Sequence, residues 1–324
     1  MTTAYGQPNT ANGQLNGSAP IPLTGTQYEI SAGEYHATVT ELGAGLRRLS
    51  YRGRPLIVGY DPDELPPAAA GQLLAPWPNR IDRGRYTFSG TEYQLDLSEP
   101  GLGNAIHGLT RWKNWAPTMH AQDQVLLTHM LHGRQGYPFC LRIDVAYRLG
   151  PDTGLEVSIT ARNVGTRPVP YGTGAHPYLT AGTPVVDECE LSLPAAQWLP
   201  VDDRCIPLGP AKDVDGTPYD FRQSRPIGGT RLDHALTGLE RDAAGRAWAR
   251  LRTNGNQVAL WVDEGYRWLQ VFTGDPLDAA QRRSAVAIEP MTCPPNAFVS
   301  GVDLLMLEPG DSVTHTWGIE VIPT

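Results

Sequence analysis

From Tyr28 onward the chain alternates short runs rich in Val, Ile, Leu, Tyr and Thr with clusters of Gly, Pro, Asn and Asp, the pattern of strands separated by turns. The period is clearest after Gly150-Pro-Asp-Thr-Gly154, where Leu155, Val157 and Ile159 fall on one face and Glu156, Ser158 and Thr160 on the other. Side chains alternate across a strand, so this arm packs one face and leaves the other to solvent. Two further hairpins are predicted: the run from Arg85 and the run from Thr91 flank Ser89-Gly90, and Trp248 to Thr253 and Gln257 to Val262 flank Asn254-Gly255-Asn256. No helical periodicity reaches the length of a typical globular helix. The best candidate, Leu277 to Ala285, is short and polar and is worth a turn or two at most. The expected class is therefore all-β, antiparallel, with few short helices, as a large sandwich or a barrel; the periodicity does not choose between them.

Length and composition narrow this. At 324 residues the chain is long for one ordinary domain, but large all-β architectures run to such lengths without splitting. No fixed-period repeat, charge block or Pro/Ser-rich linker marks an internal boundary, so one domain is expected over 23–324, behind a disordered tail over 1–22. The content of 40% hydrophobic and 19% charged residues is that of a packed globule. A formal charge of −8 argues against nucleic acid, whose binding relies on a basic patch. The N-terminus has neither the basic start nor the apolar run of a signal peptide, and no membrane anchor is expected. Cys140, Cys189, Cys205 and Cys293 are scattered without a C-x-x-C pair, which reads as free thiols in a reducing cytoplasm rather than a zinc knuckle or disulfide framework. His129 and His132 are three apart and on a strand point to opposite faces, so no metal site is expected.

Two segments place a titratable residue in an unusual setting: Tyr171-Gly-Thr-Gly-Ala-His176-Pro-Tyr and Ala285-Val-Ala-Ile-Glu289-Pro-Met-Thr-Cys-Pro-Pro-Asn-Ala-Phe298. A residue before proline is pushed toward extended geometry, which restricts both His176 and Glu289. Gly172, Gly174 and Ala175 before the histidine, and Ala285 and Ala287 on the face of Glu289, are small and are expected to leave room for a ligand. At neutral pH an imidazole and a carboxylate facing one cavity supply an acid and a base. A nearby carboxylate is expected to raise the histidine pKa and keep the acid loaded.

An ordered series of motifs accompanies these two segments. Gly43-Ala44 is followed by Leu56-Ile-Val-Gly59-Tyr-Asp61, Asn79-Arg80-Ile81, Asn104-Ala-Ile-His107-Gly108, the Ala175-His176-Pro-Tyr segment, Gly216-Thr-Pro-Tyr-Asp220-Phe, Leu232-Asp233-His, Leu269-Gln-Val-Phe-Thr-Gly274, and Ile288-Glu289-Pro with Pro295-Asn-Ala-Phe298. In this order they resemble the aldose 1-epimerases, or galactose mutarotases, from about Tyr28 to the end. The resemblance implies the large β-sandwich of that family, the galactose mutarotase-like supersandwich. It also implies interconversion of the α and β anomers of a hexose by ring opening. Glu289 would be the general base and His176 the general acid, with Arg80, His107 and Asp233 binding the sugar and no metal or cofactor involved. A small sugar is then the partner of a monomer or homodimer. The chain departs from the better-known members in Leu179-Thr180 after the histidine segment and in Phe272 where tyrosine is frequent, which leaves the preferred sugar open.

Other readings compete with this one. Arg83, Arg85, Arg111 and Lys113 lie near two of the motifs and would serve a hexose-6-phosphate epimerase, but without a Gly-rich phosphate cradle they read as solvated strand charges. A non-catalytic sugar-binding or regulatory protein would have less reason to keep both His176 and Glu289. A glycoside hydrolase would pair Asp233 with Glu289. Trp77, Trp112 and Phe298 offer flat apolar faces to a sugar but read as core fillers.

Overall fold

A computed structural model describes residues 20–253 and 255–322. The tail expected over 1–22 lies outside these residues except for its last three. Among the described residues the regular secondary structure is nearly all antiparallel strand, with one four-residue α-helix, Ala297–Ser300, and two 3-10 turns. The three expected hairpins form. Arg85–Phe88 pairs with Thr91–Gln94, Leu141–Gly150 with Gly154–Asn163, and Ala247–Thr253 with Asn256–Val262. Leu155, Val157 and Ile159 are fully buried while Glu156, Ser158 and Thr160 are partly exposed, as their alternation dictates. The polar run Leu277 to Ala285 is turns without a helix.

Two sheets dominate. A nine-stranded sheet is built around Leu141–Gly150, Gly154–Asn163 and Ser312–Glu320, and an eight-stranded one around Asp233–Leu239, Trp268–Phe272 and Val286–Met291. A four-stranded sheet, Gln27–Ala32 to Arg54–Pro55, adds Ile30, Val39 and Leu49 to the same core. Val157, Ile159 and Ile143 of the nine-stranded sheet share that core with Leu269, Val271, Val286 and Ile288 of the eight-stranded one. This is a sandwich, and it settles the choice that periodicity left open.

The eight-stranded sheet positions the site through its period of two. Val286 and Ile288 turn into the shared core, so Ala287, Glu289 and Met291 must turn to the opposite face. Likewise Leu269 and Val271 face the core and leave Gln270 beside Glu289, its cross-strand partner. In the next strand Asp233 pairs with Phe272. Both faces of the strand Val286–Met291 are buried, which explains its apolar run broken by one carboxylate.

Candidate active site

Glu289, His176, Arg80, His107 and Asp233 line one cavity of about 330 Å³, near the lower end of the range of roughly 300–1,000 Å³ usual for small-molecule sites. Gln270, Tyr178, Phe272, Asn79, Glu99 and Arg111 complete much of its wall. His176 Nε2 stands 3.3 Å from Glu289 Oε1, and the two residues are only 5% and 2% exposed.

The two chain segments that bring them together meet in the eight-stranded sheet. Glu289 is on a strand, while His176 lies between the short strands Gly174–Ala175 and Tyr178–Leu179, both of which pair with Glu289's strand. His176 N–H donates to the Gln72 carbonyl and its own carbonyl accepts from Gly71 N–H, which fixes the backbone at the ring. The imidazole stacks on Tyr178, with ring centroids 5.0 Å apart and planes 28° from parallel. The Tyr178 hydroxyl in turn donates to the Ala68 carbonyl.

The glycines before His176 serve packing rather than a ligand cleft. A Cβ on Gly172 would stand 2.5 Å from Cys293 Sγ, and one on Gly174 would meet the Pro290 carbonyl at 2.7 Å and Pro78 at 2.9 Å. The small residues there let the histidine segment lie against the Glu289 segment. Ala285 and Ala287 form a small cluster with Tyr178, Tyr60 and Ala70 and make room for the tyrosine that carries the imidazole.

The electrostatics of the pair differ from the sequence expectation. Burial, not the neighbouring carboxylate, dominates His176 and pushes its pKa down to about 3, with the Arg111 and Arg80 cations adding to the fall. Burial likewise holds the Glu289 carboxyl well above its ordinary value; Asp233 raises it further and Arg80 opposes. An imidazole and a carboxyl in contact, both desolvated, favour the arrangement in which neither is charged.

His107 sits in a left-handed backbone conformation, φ 61°, at the end of the strand Asn104–Ile106. Its Nδ1 accepts the Asn79 backbone N–H at 3.3 Å, which places the ring proton on Nε2 as a donor. Burial, followed by Arg111, keeps this imidazole well below its ordinary pKa and neutral. Asp233 Oδ1 accepts from Gln270 Nε2 at 2.7 Å, and burial raises its pKa. Arg80 is gripped by Glu99, Nε to Oε2 at 2.9 Å and Nη2 to Oε1 at 3.0 Å.

Arg111 is not the solvated strand charge that the sequence suggested. It lines the cavity, and burial lowers its pKa to about 10. Among the described residues no carboxylate lies within ion-pair distance of it; its guanidinium donates to Gln72 Oε1 at 3.4 Å and lies 5.6 Å from the centre of the Trp112 ring. Arg83, Arg85 and Lys113 are exposed, as expected. Trp77 and Phe298 pack on each other in the core, 5.6 Å between rings, and Trp112 is half exposed outside the cavity. Gln270 escaped the sequence reading, although one amide in the strand Trp-Leu-Gln-Val-Phe was a usable signal, because a polar residue in a doubly buried strand needs a partner. Glu99 and Tyr178 carried no such signal.

A β-sandwich whose small-molecule-sized cavity holds a buried imidazole–carboxyl pair has the groups that acid–base chemistry needs. Comparison with known proteins gives the family. The aldose 1-epimerase family model matches residues 26–320, and the chain belongs to that family. It is 41% identical over 290 residues to the uncharacterized protein YihR of Escherichia coli (strain K12), spanning 89% of this chain and 90% of that one. It is also 27% identical over 268 residues to the galactose mutarotase of Mus musculus, spanning 76% and 77% of the two chains. Among solved structures, a GalM/aldose epimerase homologue from C. elegans superposes with a TM-score of 0.82 at 22% identity, over 92% of this chain and 99% of that one. A putative aldose 1-epimerase from Escherichia coli K12 superposes at 0.81 and 23% identity with the same coverages. These likenesses establish the shared fold.

Proposed function

We propose that the protein is an aldose 1-epimerase that opens and recloses a hexopyranose ring, with Glu289 and His176 as the proton-transfer pair. The observation that carries this reading is the 3.3 Å approach of His176 Nε2 to Glu289 Oε1 inside a cavity also lined by Arg80, His107 and Asp233. The pair holds one proton. In the charged arrangement Glu289 takes the proton of the C1 hydroxyl while the C1–O5 bond breaks and O5 receives a proton from His176. The product is the open aldehyde with Glu289 protonated and His176 neutral, the arrangement that burial favours. Rotation about C1–C2 presents the other aldehyde face. Glu289 then returns a proton to O1 while His176 recovers the one on O5, and the opposite anomer closes. Sugar hydroxyls donating to Glu289 favour its ionised form at the start of the cycle.

The remaining groups orient the ring. His107 Nε2–H and Arg80 donate to sugar oxygens, and Asp233, pinned by Gln270, accepts from a hydroxyl. The chemistry asks for no electron transfer and no Lewis acid, which suits a pair of proton carriers alone. The four free thiols, Cys140, Cys189, Cys205 and Cys293, support placement in a reducing compartment such as the cytoplasm.

A second reading, hexose-6-phosphate epimerisation, is favoured by one observation: Arg111 brings a guanidinium without a carboxylate partner to the cavity wall, where an anionic substituent would compensate it. Polarimetry of fresh α-D-glucose, α-D-galactose and α-D-glucose 6-phosphate tests both. Wild-type protein is expected to accelerate at least one of them, and Glu289→Gln and His176→Asn to lose about 10²- to 10⁴-fold in kcat. A rate on the phosphate well above that on glucose selects the second reading. Full acceleration by both variants would overturn the assignment of the pair.

A further inference from the structure

The cavity holds two arginines in different states. Among the described residues Arg111 lacks a carboxylate partner, whereas Arg80 is paired in a two-pronged grip, and the residues behind that grip form a chain leading away from the cavity. Glu99 Oε1 and Oε2 hold Arg80 Nη2 and Nε. Asn104 Nδ2 donates to Glu99 Oε2 at 3.1 Å and to the Arg204 carbonyl at 3.0 Å. Asn104 Oδ1 accepts from Arg204 Nη2 at 3.0 Å.

The backbone closes the same unit. Glu99 N–H donates to the Asn104 carbonyl, and Asn104 N–H to the Glu99 carbonyl. Arg204 Nε reaches the Leu102 carbonyl at 2.9 Å, and Arg204 Nη2 lies 2.7 Å from Asp82, which pairs with Asn104 on the two-stranded ladder that bears Arg80. Asp202 Oδ1 accepts the N–H groups of Arg204 and Ile206, both at 2.9 Å, and so holds the loop that presents Arg204. Asn104 is fully buried.

We propose that Glu99 is a positioning residue for the epimerase reaction, orienting the Arg80 guanidinium toward the sugar, and that Asn104 and Arg204 hold Glu99 for that task. This rests on the epimerase reading. An arginine side chain has many rotamers, and a bidentate carboxylate fixes the guanidinium plane and leaves the remaining donors aimed in one direction. Among the described residues Arg80 Nη1 has no hydrogen-bond partner and the residue lines the cavity, which leaves Nη1 free to donate to a ligand there. The grip also offsets part of a charge: the Arg80 cation still favours ionised Glu289, and without the Glu99 carboxylate beside it that bias would grow. Glu99 thus makes Arg80 a hydrogen-bond donor of fixed direction with part of its charge offset.

The test is a double-mutant cycle in kcat/KM for mutarotation. Glu99→Gln is expected to lower kcat/KM by about 10- to 100-fold in the wild-type background and by less than about twofold in an Arg80→Ala background, because Arg80 is then no longer there to be oriented. Its acidic pH limb is expected to move to lower pH, since the uncompensated Arg80 charge eases ionisation of Glu289. Arg204→Gln should give a smaller loss of the same kind. Equal losses from Glu99→Gln in both backgrounds, with an unmoved pH profile, would mean a structural role only and would overturn the proposal.

A readout without sugar keeps the geometry separately decidable. The Arg80 Nε–H resonance, identified by its loss in Arg80→Ala, is expected to exchange slowly with solvent in the wild type and fast in Glu99→Gln. Unchanged exchange in Glu99→Gln would refute the orienting grip. A wild type that accelerates no aldose, yet shows the exchange difference, would refute the epimerase reading and leave the Glu99 grip standing.

Discussion

His176 and Glu289 act on stability in opposite directions, and the signs follow from their environments. Burial lowers the folded pKa values of His176, to about 3, and of His107, so below about pH 6.5 the unfolded chain takes up protons that the fold refuses and stability falls as pH falls. Burial raises the folded pKa of Glu289, so above about pH 4.5 the unfolded chain ionises where the fold does not, and stability falls as pH rises. Between these limits the carboxyl offsets one histidine. Unfolding free energies from urea titrations between pH 6.5 and 4.5 are therefore expected to fall more steeply for Glu289→Gln than for wild type, by about 1.4 kcal/mol per pH unit. Equal slopes would mean that Glu289 is ionised in the fold. At this scale the sequence exposed the pre-proline pair, but not the sign of the histidine shift, because desolvation depends on what surrounds a ring and only the packed chain supplies it. Arg111 was misread for the same reason: nothing in Thr-Arg-Trp-Lys tells a solvated cation from one turned into a cavity.

The strand Val286–Met291 and the histidine segment work as one element pair, and the glycines set their separation. The Cβ of Gly174→Ala would meet the Pro290 carbonyl at 2.7 Å and Pro78 Cβ at 2.9 Å, neither of them a flexible side-chain end. This substitution is expected to cost about 1–3 kcal/mol in chemical denaturation and to lower kcat beyond any change in KM, because the backbone it displaces adjoins Glu289. Loss of stability with kcat intact would separate the packing from the site. The hairpins were legible from the chain, since turn residues and a two-residue period are local properties. The pairing of Gln270 with Glu289 was not, because the register joins two strands through the intervening turns of residues 273–285 and only the ladder fixes it.

The molecule as a whole ties the site to the fold. One core cluster takes side chains from the four-, eight- and nine-stranded sheets, while the cavity draws its residues from positions as far apart as Ala68 and Glu289. No part of the chain carries the site alone, so activity, near-UV dichroism and far-UV dichroism are expected to be lost in one coincident thermal transition. A sugar that binds only the folded state should stabilise it by about 2.7 kcal/mol at a concentration of 100 times Kd. Activity lost well before the dichroism signals would show the cavity to be an independently melting region.

The sequence by itself determined the all-β class, the positions of the hairpins, the identity of the proton-carrying pair as candidates and, through its ordered motifs, the family, because period, turn chemistry and motif order are written along the chain. Only the tertiary structure decided that the sheets form a sandwich, that Arg111 and Glu99 belong to the cavity, and that burial pushes His176 and Glu289 toward their uncharged forms. Those outcomes depend on which distant residues exclude water from each other, and a linear order does not specify that.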